Sequence, residues 1–411
     1  MGDLSIKVNL WGLNIGELWW CQQSHSTLFS FSESYFESGL NAFPLIADNE
    51  LAKTNNLFHG RKEPIFKFLP SFLAESLPDS WEREYIMKKY CGNDLLSKEI
   101  NPIKKLAYIR NRCLGALEYQ VKDTENNKSD LYWFNKIADE YDNYLKKISI
   151  PSLNKTDLGS ICSLGTCSVG LRPKVLLAIC RETGEIRSGQ VEQENNYDYY
   201  ILKIGDVNSC LARIEMSYYQ IAMKAGIHMM PSNLVNIDRT SHFLTKRYDR
   251  VNGNKIHMQS FSALSPQSSS YEELFELSIK LNLTEKDIIE LYRRLLFNIL
   301  LNNVDDHARN FSFLMNIKGE WSLSPAYDIS YPVIDHNNHY MTLNGKCENF
   351  KKDDVLSLVS KFKIINHEAI YSDVLSAISC LNDTLERNNV DEKYKNNICR
   401  RVSENIRHYL S

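Results

Sequence analysis

Asp305 and Asn310 stand at the two ends of Asp305-Asp306-His307-Ala308-Arg309-Asn310. An aspartate and an asparagine at this spacing suit a phosphoryl-transfer loop. The carboxylate orients or deprotonates an acceptor hydroxyl, and the amide oxygen holds Mg²⁺ near the phosphates. A second acid must share that metal. Asp328, in Pro325-Ala326-Tyr327-Asp328-Ile329-Ser330, follows a hairpin expected around Lys318-Gly319-Glu320. Mg²⁺ takes hard oxygen ligands plus substrate phosphates, which this pair supplies. Two other readings fit the same run. One is a polar loop whose aspartates cap or turn the chain; the other is a metallohydrolase using Asp305, Asp306 and His307.

Two further parts bear on the choice. Lys203 ends the apolar run Tyr199-Tyr200-Ile201-Leu202, where an ATP-using enzyme needs a lysine for the α/β-phosphates. Glu215 follows on an expected helix and would orient that lysine through an ion pair. The small-residue run from Ser163 to Lys174 leads into a strand and could bring backbone N–H groups to phosphates. It is neither a Walker A motif nor a G-x-G-x-x-G loop. Alone, a lysine at a strand end reads as a solvated side chain, and the small-residue run is a weak motif. Their order along the chain makes phosphoryl transfer the better reading.

The elements that must position these residues follow from patterning. Ile6, Val8 and Leu10 alternate as in a strand, and Trp11 to Leu18 reads as a turn into a second strand. Trp81 to Tyr90 has helical periodicity, and the polar stretch Lys122 to Asp130 reads as a connector. Strands are expected at Val175–Ile179 and Tyr199–Ile204, with a loop from Arg187 to Asp198. A helix is expected from Leu211 to Ala225, stopped by Gly226. Asn252-Gly253-Asn254 signals a hairpin between Phe243–Arg250 and Ile256–Gln259. Beyond about residue 270 the chain turns helical. Thr284 and Asp287 form a capping-box pattern before the stripe Ile288, Leu291, Leu295, Leu296, Ile299 and Leu300. Val355–Phe362, His367–Leu381 and Lys393–Leu410 complete the expected helices.

Composition narrows the class. The chain has 411 residues, 43% hydrophobic and 24% charged, as in an ordinary folded protein. A net charge of −3 gives no global basic field for nucleic acid. The basic pairs Arg293-Arg294 and Lys351-Lys352 read as solvated faces, with no helix-turn-helix evident. Apolar runs such as Val175–Cys180 fall far short of the roughly 20 residues that span a bilayer. No signal-peptide pattern opens the sequence, so no membrane association and a cytoplasmic location are expected. The ten cysteines include no C-x-x-C pair, which argues against a zinc ribbon or a thioredoxin motif and for reduced thiols.

The run Phe297 to Phe313, with Trp321 to Ser330, resembles the signature of HipA-family serine/threonine kinases. Lys246-Arg247-Tyr248-Asp249-Arg250 is similar to that family's E-R-F-D-R hinge, and Gly170-Leu171-Arg172-Pro173-Lys174 to its G-A-R-P-K loop end. Phe29-Ser30-Phe31, Phe72 to Asp79 and Arg112 to Leu117 resemble its first subdomain, so the likeness covers nearly the whole chain.

The resemblance implies an α+β, two-lobed protein-kinase-like fold with a β-rich N-lobe, an extra N-terminal subdomain and an α-helical C-lobe. The expected bounds are 1–120 for the subdomain, 121–148 for a connector, 149–250 for the N-lobe and 251–411 for the C-lobe. It implies Asp305 as catalytic aspartate, with Asn310 and Asp328 on Mg²⁺. ATP would be met by Val169, Gly170, Arg172, Lys174, Lys203, Glu215, Lys246, Arg247, Tyr248, His307, Asn310, Tyr327 and Asp328. It also implies a bacterial toxin that phosphorylates a protein, an aminoacyl-tRNA synthetase in known cases, to inhibit translation and growth. Such toxins are restrained by a HipB-like helix-turn-helix antitoxin, and DNA is reached only through that partner. Two departures stand out. Lys246 replaces an acidic hinge residue, and Cys167 stands where the family often has serine, leaving Ser168 and Ser163 as candidates for self-phosphorylation. A catalytically weak relative acting as a binding partner or co-repressor is the alternative, although Lys203, Asp305, Asn310 and Asp328 are all in place. A small-molecule phosphotransferase is a third reading, which the Ser-Pro-Ala-Tyr-Asp block opposes.

Overall fold

Alternating apolar residues begin the chain and form the first strand as expected: Ile6, Val8 and Leu10 are all fully buried. The computed structural model describes residues 5–46, 55–77, 101–121, 130–153, 158–163, 173–237, 239–332 and 338–411. The chain divides into two units. One comprises residues 1–203, 249–259 and 315–320; the other comprises 204–248, 260–314 and 321–411.

In the first unit, β1 (Ser5–Leu10), β2 (Leu13–Cys21), β3 (Ser26–Phe31), β4 (Phe58–His59) and β5 (Leu117–Val121) form one antiparallel sheet. Its order is β4-β3-β2-β1-β5. Period-two patterning puts Ile6 opposite Leu18, and Phe29 and Phe31 on a buried face. Those rings join an aromatic cluster, with Phe43–Phe72 centroids 4.5 Å apart and Phe31–Tyr35 4.6 Å apart. Helix α1 (Pro102–Ile109) starts on an Asn101 cap, whose side chain accepts the Lys104 N–H at 3.0 Å. It packs against α2 (Asp130–Lys147). Between them the guanidinium of Arg112 lies 4.4 Å from the Tyr108 ring centre and 4.8 Å from that of Tyr141.

The same unit holds β6 (Ser149–Ile150), β7 (Lys174–Cys180), β8 (Ile186–Ser188) and β9 (Tyr197–Lys203), in the order β6-β8-β7-β9. β7 is buried along almost its whole length. The expected loop at Arg187–Asp198 is shorter than the composition suggests. Its first two residues complete β8, and its last two open β9, because Ile186 and Tyr197 find buried positions against the sheet.

In the second unit, β10 (Ser232–Ile237) and β11 (Thr240–Lys246) form an antiparallel hairpin. Phe243 therefore pairs with Leu234 rather than with a strand beyond Gly253. The Asn-Gly turn is real, with positive φ at Asn252 and Gly253. It belongs to the first unit and joins two-residue strands only, Arg250–Val251 to Asn254–Lys255. Helix α3 (Leu211–Lys224) ends before Gly226, whose φ of 82° suits a glycine stop.

The core of this unit gathers α4 (Tyr271–Lys280), α5 (Glu285–Leu300), α6 (Lys352–Phe362), α7 (His367–Ile378), α8 (Leu381–Arg387) and α9 (Glu392–Leu410). α4 and α5 both open on full capping boxes, Ser270 with Glu273 and Thr284 with Asp287. The helix expected over His367–Leu381 breaks at Ser379-Cys380 into α7 and α8. The helix expected at Trp81–Tyr90, and the polar stretch Lys122–Asp130 apart from Asp130, lie outside the described residues, while most of the expected 121–148 connector is the helix α2. Among the described residues, no helix is long and apolar enough to cross a membrane.

Candidate functional site

α5 delivers the loop that carries Asp305. The Leu301 carbonyl at its end accepts the Tyr218 hydroxyl at 2.7 Å, so a terminal acceptor is satisfied from α3. Asn302 then takes a positive φ of 57° and turns the chain. The next two acids point opposite ways. The Asp305 side chain is 45% exposed, while that of Asp306 is fully buried.

Asp306 spends its carboxylate internally. One oxygen accepts the Tyr271 hydroxyl at 2.6 Å and His339 Nδ1–H at 2.8 Å. The other accepts the backbone N–H groups of Tyr340 at 2.9 Å and Met341 at 3.3 Å. Asn298 donates to the Tyr271 oxygen at 3.0 Å and accepts from Asn303 at 2.8 Å, which extends the network back into α5. Burial and the neighbouring Asp306 charge hold the Tyr271 phenol well above its ordinary pKa. The metallohydrolase reading fails here, since Asp306 has no lone pair to spare for a metal. Among the described residues no group of three or more His, Cys, Asp or Glu side chains could hold one.

Asn310 is oriented by the chain itself. Its Nδ2 donates to the Asp305 carbonyl at 2.7 Å, which leaves Oδ1 as the available group. His307 caps the short 3₁₀ turn Ala308–Asn310, with Nε2 3.9 Å from Asp305 Oδ1 and its ring edge-on to Tyr340 at 5.8 Å. Its Nδ1 is buried and accepts or donates no hydrogen bond among the described residues.

The Asp328 segment is bound to this loop through Tyr327. The Tyr327 hydroxyl donates to the Arg309 carbonyl at 2.6 Å, so the contact with the Ser312 hydroxyl at 2.5 Å runs from Ser312 to Tyr327. Met229 and Ala326 form a parallel bridge, with the Ala326 N–H donating to the His228 carbonyl at 2.8 Å. Asp328 itself is half-buried with φ 52°, a left-handed turn that reorients the chain right after Tyr327. Asn310 Oδ1 and the Asp328 carboxylate are hard oxygen donors, the chemistry Mg²⁺ prefers, and the orphaned His307 nitrogen suits a polar ligand.

The remaining candidates fall as follows. Lys203 ends β9, buried, and pairs in register with Lys174 of β7. Both belong to the first unit. Glu215 is buried on α3 and belongs to the second. Lys246 ends β11, its N–H donating to the Pro231 carbonyl at 3.0 Å. Arg247 is buried, and Tyr248 packs on Tyr327 with ring centres 5.6 Å apart. Asp249 and Arg250 serve another purpose. Asp249 accepts the Gly115 N–H and the Arg250 guanidinium, both at 2.8 Å. Arg250 reaches on to the carbonyls of Gly115 at 3.0 Å and Cys113 at 3.1 Å. The second half of the hinge motif is thus a clamp on the loop before β5. Ser163 donates its hydroxyl to the Ser160 carbonyl at 2.5 Å. Val169, Gly170, Arg172 and Ser168 lie outside the described residues.

Sequence reasoning missed Asp306, Tyr271, Asn298 and His339 as the frame of the loop. The doubled aspartate was the available signal, since adjacent residues in an extended loop tend to face opposite sides.

The fold is of a protein-kinase-like class of mixed α and β structure. Residues 6–120 match the model of the HipA N-terminal domain, and residues 166–395 that of the HipA-like C-terminal domain. The chain belongs to the HipA family. HipA of Shewanella oneidensis MR-1, solved with HipB and its operator DNA, is 14% identical. It superposes over 98% of this chain and 96% of its own with a TM-score of 0.62. The Helicobacter pylori proinflammatory kinase CtkA is 12% identical, covering 51% of this chain and 83% of its own with a TM-score of 0.38. The Sinorhizobium fredii protein named "Putative kinase Y4dM" is 23% identical over 174 residues, 36% of this chain and 42% of that protein.

Proposed function

We propose that this protein is an ATP-dependent serine/threonine protein kinase of the HipA toxin type. The observation that carries the reading is the contrast between two neighbours: Asp305 is half-exposed, and Asp306 is buried and hydrogen-bonded four times over. A loop held this rigidly from below presents the half-exposed Asp305 carboxylate to an acceptor hydroxyl, with Asn310 fixed beside it.

In this reading Asp305 orients the acceptor hydroxyl and takes its proton. Asn310 Oδ1 and Asp328 would hold Mg²⁺, which would neutralise charge on the transferred phosphoryl group. Lys203, oriented by Glu215, would meet the phosphates together with the loop from Val169 to Lys174. Lys246, Arg247 and Tyr248 would border the adenine, and His307 would lie in the nucleotide site. The acceptor is a protein of the host cell, an aminoacyl-tRNA synthetase by family likeness. Ser168, or less directly Ser163, is the proposed site of self-phosphorylation. Shewanella HipA is found with HipB and operator DNA. A HipB-like antitoxin is the partner we propose here, with DNA met only through it.

The test is transfer of labelled γ-phosphate from Mg-ATP to proteins of a bacterial lysate, wild type against Asp305→Asn. A labelled band that disappears in the variant supports the kinase, and the intact mass of the wild type reports self-phosphorylation. ATP binding with no labelled product in the wild type would favour the co-repressor reading.

A further inference from the structure

Away from the Asp305 loop, the end of α3 meets the break between α7 and α8. Lys224 is the last residue of α3, and Cys380 lies in the break. Lys224 Nζ sits 2.5 Å from Cys380 Sγ. Lys224 is exposed and Cys380 half-buried. Both line an open cavity of about 630 Å³ whose other walls include Gln220, Asp383, Thr384 and Arg387. A small polar oxidant can therefore reach the sulfur.

The pair differs from the other thiols. Burial pushes Cys113, Cys162, Cys210 and Cys399 above the ordinary thiol pKa. The Lys224 hydrogen bond, aided by Ser379, draws Cys380 below it, which favours the nucleophilic thiolate. Hydrogen bonding from Thr183 also draws Cys180 down. Cys180, however, is buried in β7, and its nitrogen neighbour is the Asn196 amide at 3.4 Å, a poor nucleophile.

We propose that Lys224 and Cys380 form a covalent, thiol-reversible sulfenamide when the protein meets hydrogen peroxide. In the first step the thiolate attacks the peroxide, the O–O bond breaks, and Cys380 becomes a sulfenic acid while the released hydroxide takes a proton to give water. The Lys224 amine, having given a proton to solvent, then attacks Sγ. An N–S bond forms, the S–O bond breaks, and the departing oxygen leaves as a second water. The thiol loses two electrons, the peroxide gains them, and the linked pair is two hydrogen atoms lighter than its parts. Sulfenic acids condense with neighbouring nitrogens in this way, and added thiol reverses the reaction. The link would tie α3 to α8, which already meet through Asn388 donating to Ser217 at 2.9 Å and to Gln220 at 3.0 Å.

The experiment treats the full chain with hydrogen peroxide, denatures it, and maps its tryptic peptides by mass. The expected product is one linked pair containing Lys224 and Cys380, lighter by two hydrogens than the sum and separated again by dithiothreitol. Cys380→Ser should abolish it. Lys224→Arg keeps a cation beside the sulfur but removes the nucleophilic amine. It should give no link and a Cys380 sulfenic acid that dimedone traps. Cys380 that proceeds to sulfinic acid in the wild type with no link would overturn the proposal, as would an equal yield of link to other lysines.

Discussion

The Tyr271 hydroxyl donates to the buried Asp306 carboxylate at 2.6 Å, joining the first turn of α4 to the residue beside Asp305. Tyr271, His339, Tyr340 and Met341 all converge on that carboxylate. The position of Asp305 is therefore set by groups far along the chain.

Asp306→Ala should be severely destabilising. It strands a phenol, an imidazole N–H and two backbone N–H groups in the interior, each stranded group costing about 1–3 kcal/mol. Partial relaxation and some water entry should bring the net loss to about 3–5 kcal/mol, read from urea unfolding. Asp306→Asn should be nearly as damaging, because its amide places a donor against donors. A loss below about 1 kcal/mol for either would contradict the network.

Stability should fall with acid in a window set by His257. Its ring is fully buried, edge-on to Trp11 at 6.2 Å and Phe43 at 5.6 Å. Desolvation lowers its pKa from 6.5 to about 4, against a smaller raising effect of the hydrogen bond to the Ala42 carbonyl. Above pH 6.5 both folded and unfolded states are neutral, and His257 contributes no pH dependence. As pH falls below 6.5 the unfolded state binds the proton first, so stability drops until about pH 4. The loss amounts to roughly 3 kcal/mol. Urea midpoints between pH 7 and 4 should show this slope, and His257→Gln should flatten it.

Much of this architecture is legible in the amino-acid pattern. Alternation gives β1, the apolar stripe with its cap gives α5, and Gly226 gives the end of α3. The 305–310 spacing gives the loop, because local chain geometry governs it. The Asp306 network is not legible, since His339 and Tyr271 reach it only through folding. The hairpin at Asn252-Gly253 is shorter than its flanking residues suggest. The turn residues are local, but strand length depends on which partner buries Phe243, and β10 wins that competition. The Asp249-Arg250 clamp was hidden for the same reason: Gly115 is distant in sequence.

Asp249→Ala should destabilise the chain by about 3 kcal/mol or more, since it leaves the buried Arg250 without its carboxylate. Replacing both, with Asp249→Leu and Arg250→Met together, should cost less than the single change. Thermal unfolding of the three variants checks this, and additive losses would contradict the clamp.

Tyr327→Phe should keep the ring packing against Tyr248 and lose the link to the Arg309 carbonyl. We expect a stability loss of about 1 kcal/mol. Because the hydroxyl ties the Asp305–Asn310 loop to the Asp328 segment, phosphoryl transfer should slow by about 10-fold or more, with KM for ATP nearly unchanged. An unchanged kcat would show that the link does not set the geometry.

The central claim is that Asp305 acts on an acceptor hydroxyl while the rest of the site binds nucleotide. Its most direct test is a paired measurement on wild type and Asp305→Asn: Mg-ATP affinity by titration calorimetry, and the single-turnover rate of γ-phosphate transfer to protein. The two affinities should lie within a few-fold of each other, and the transfer rate should be lower by about 10²–10⁴ in the variant. Equal transfer rates would contradict it.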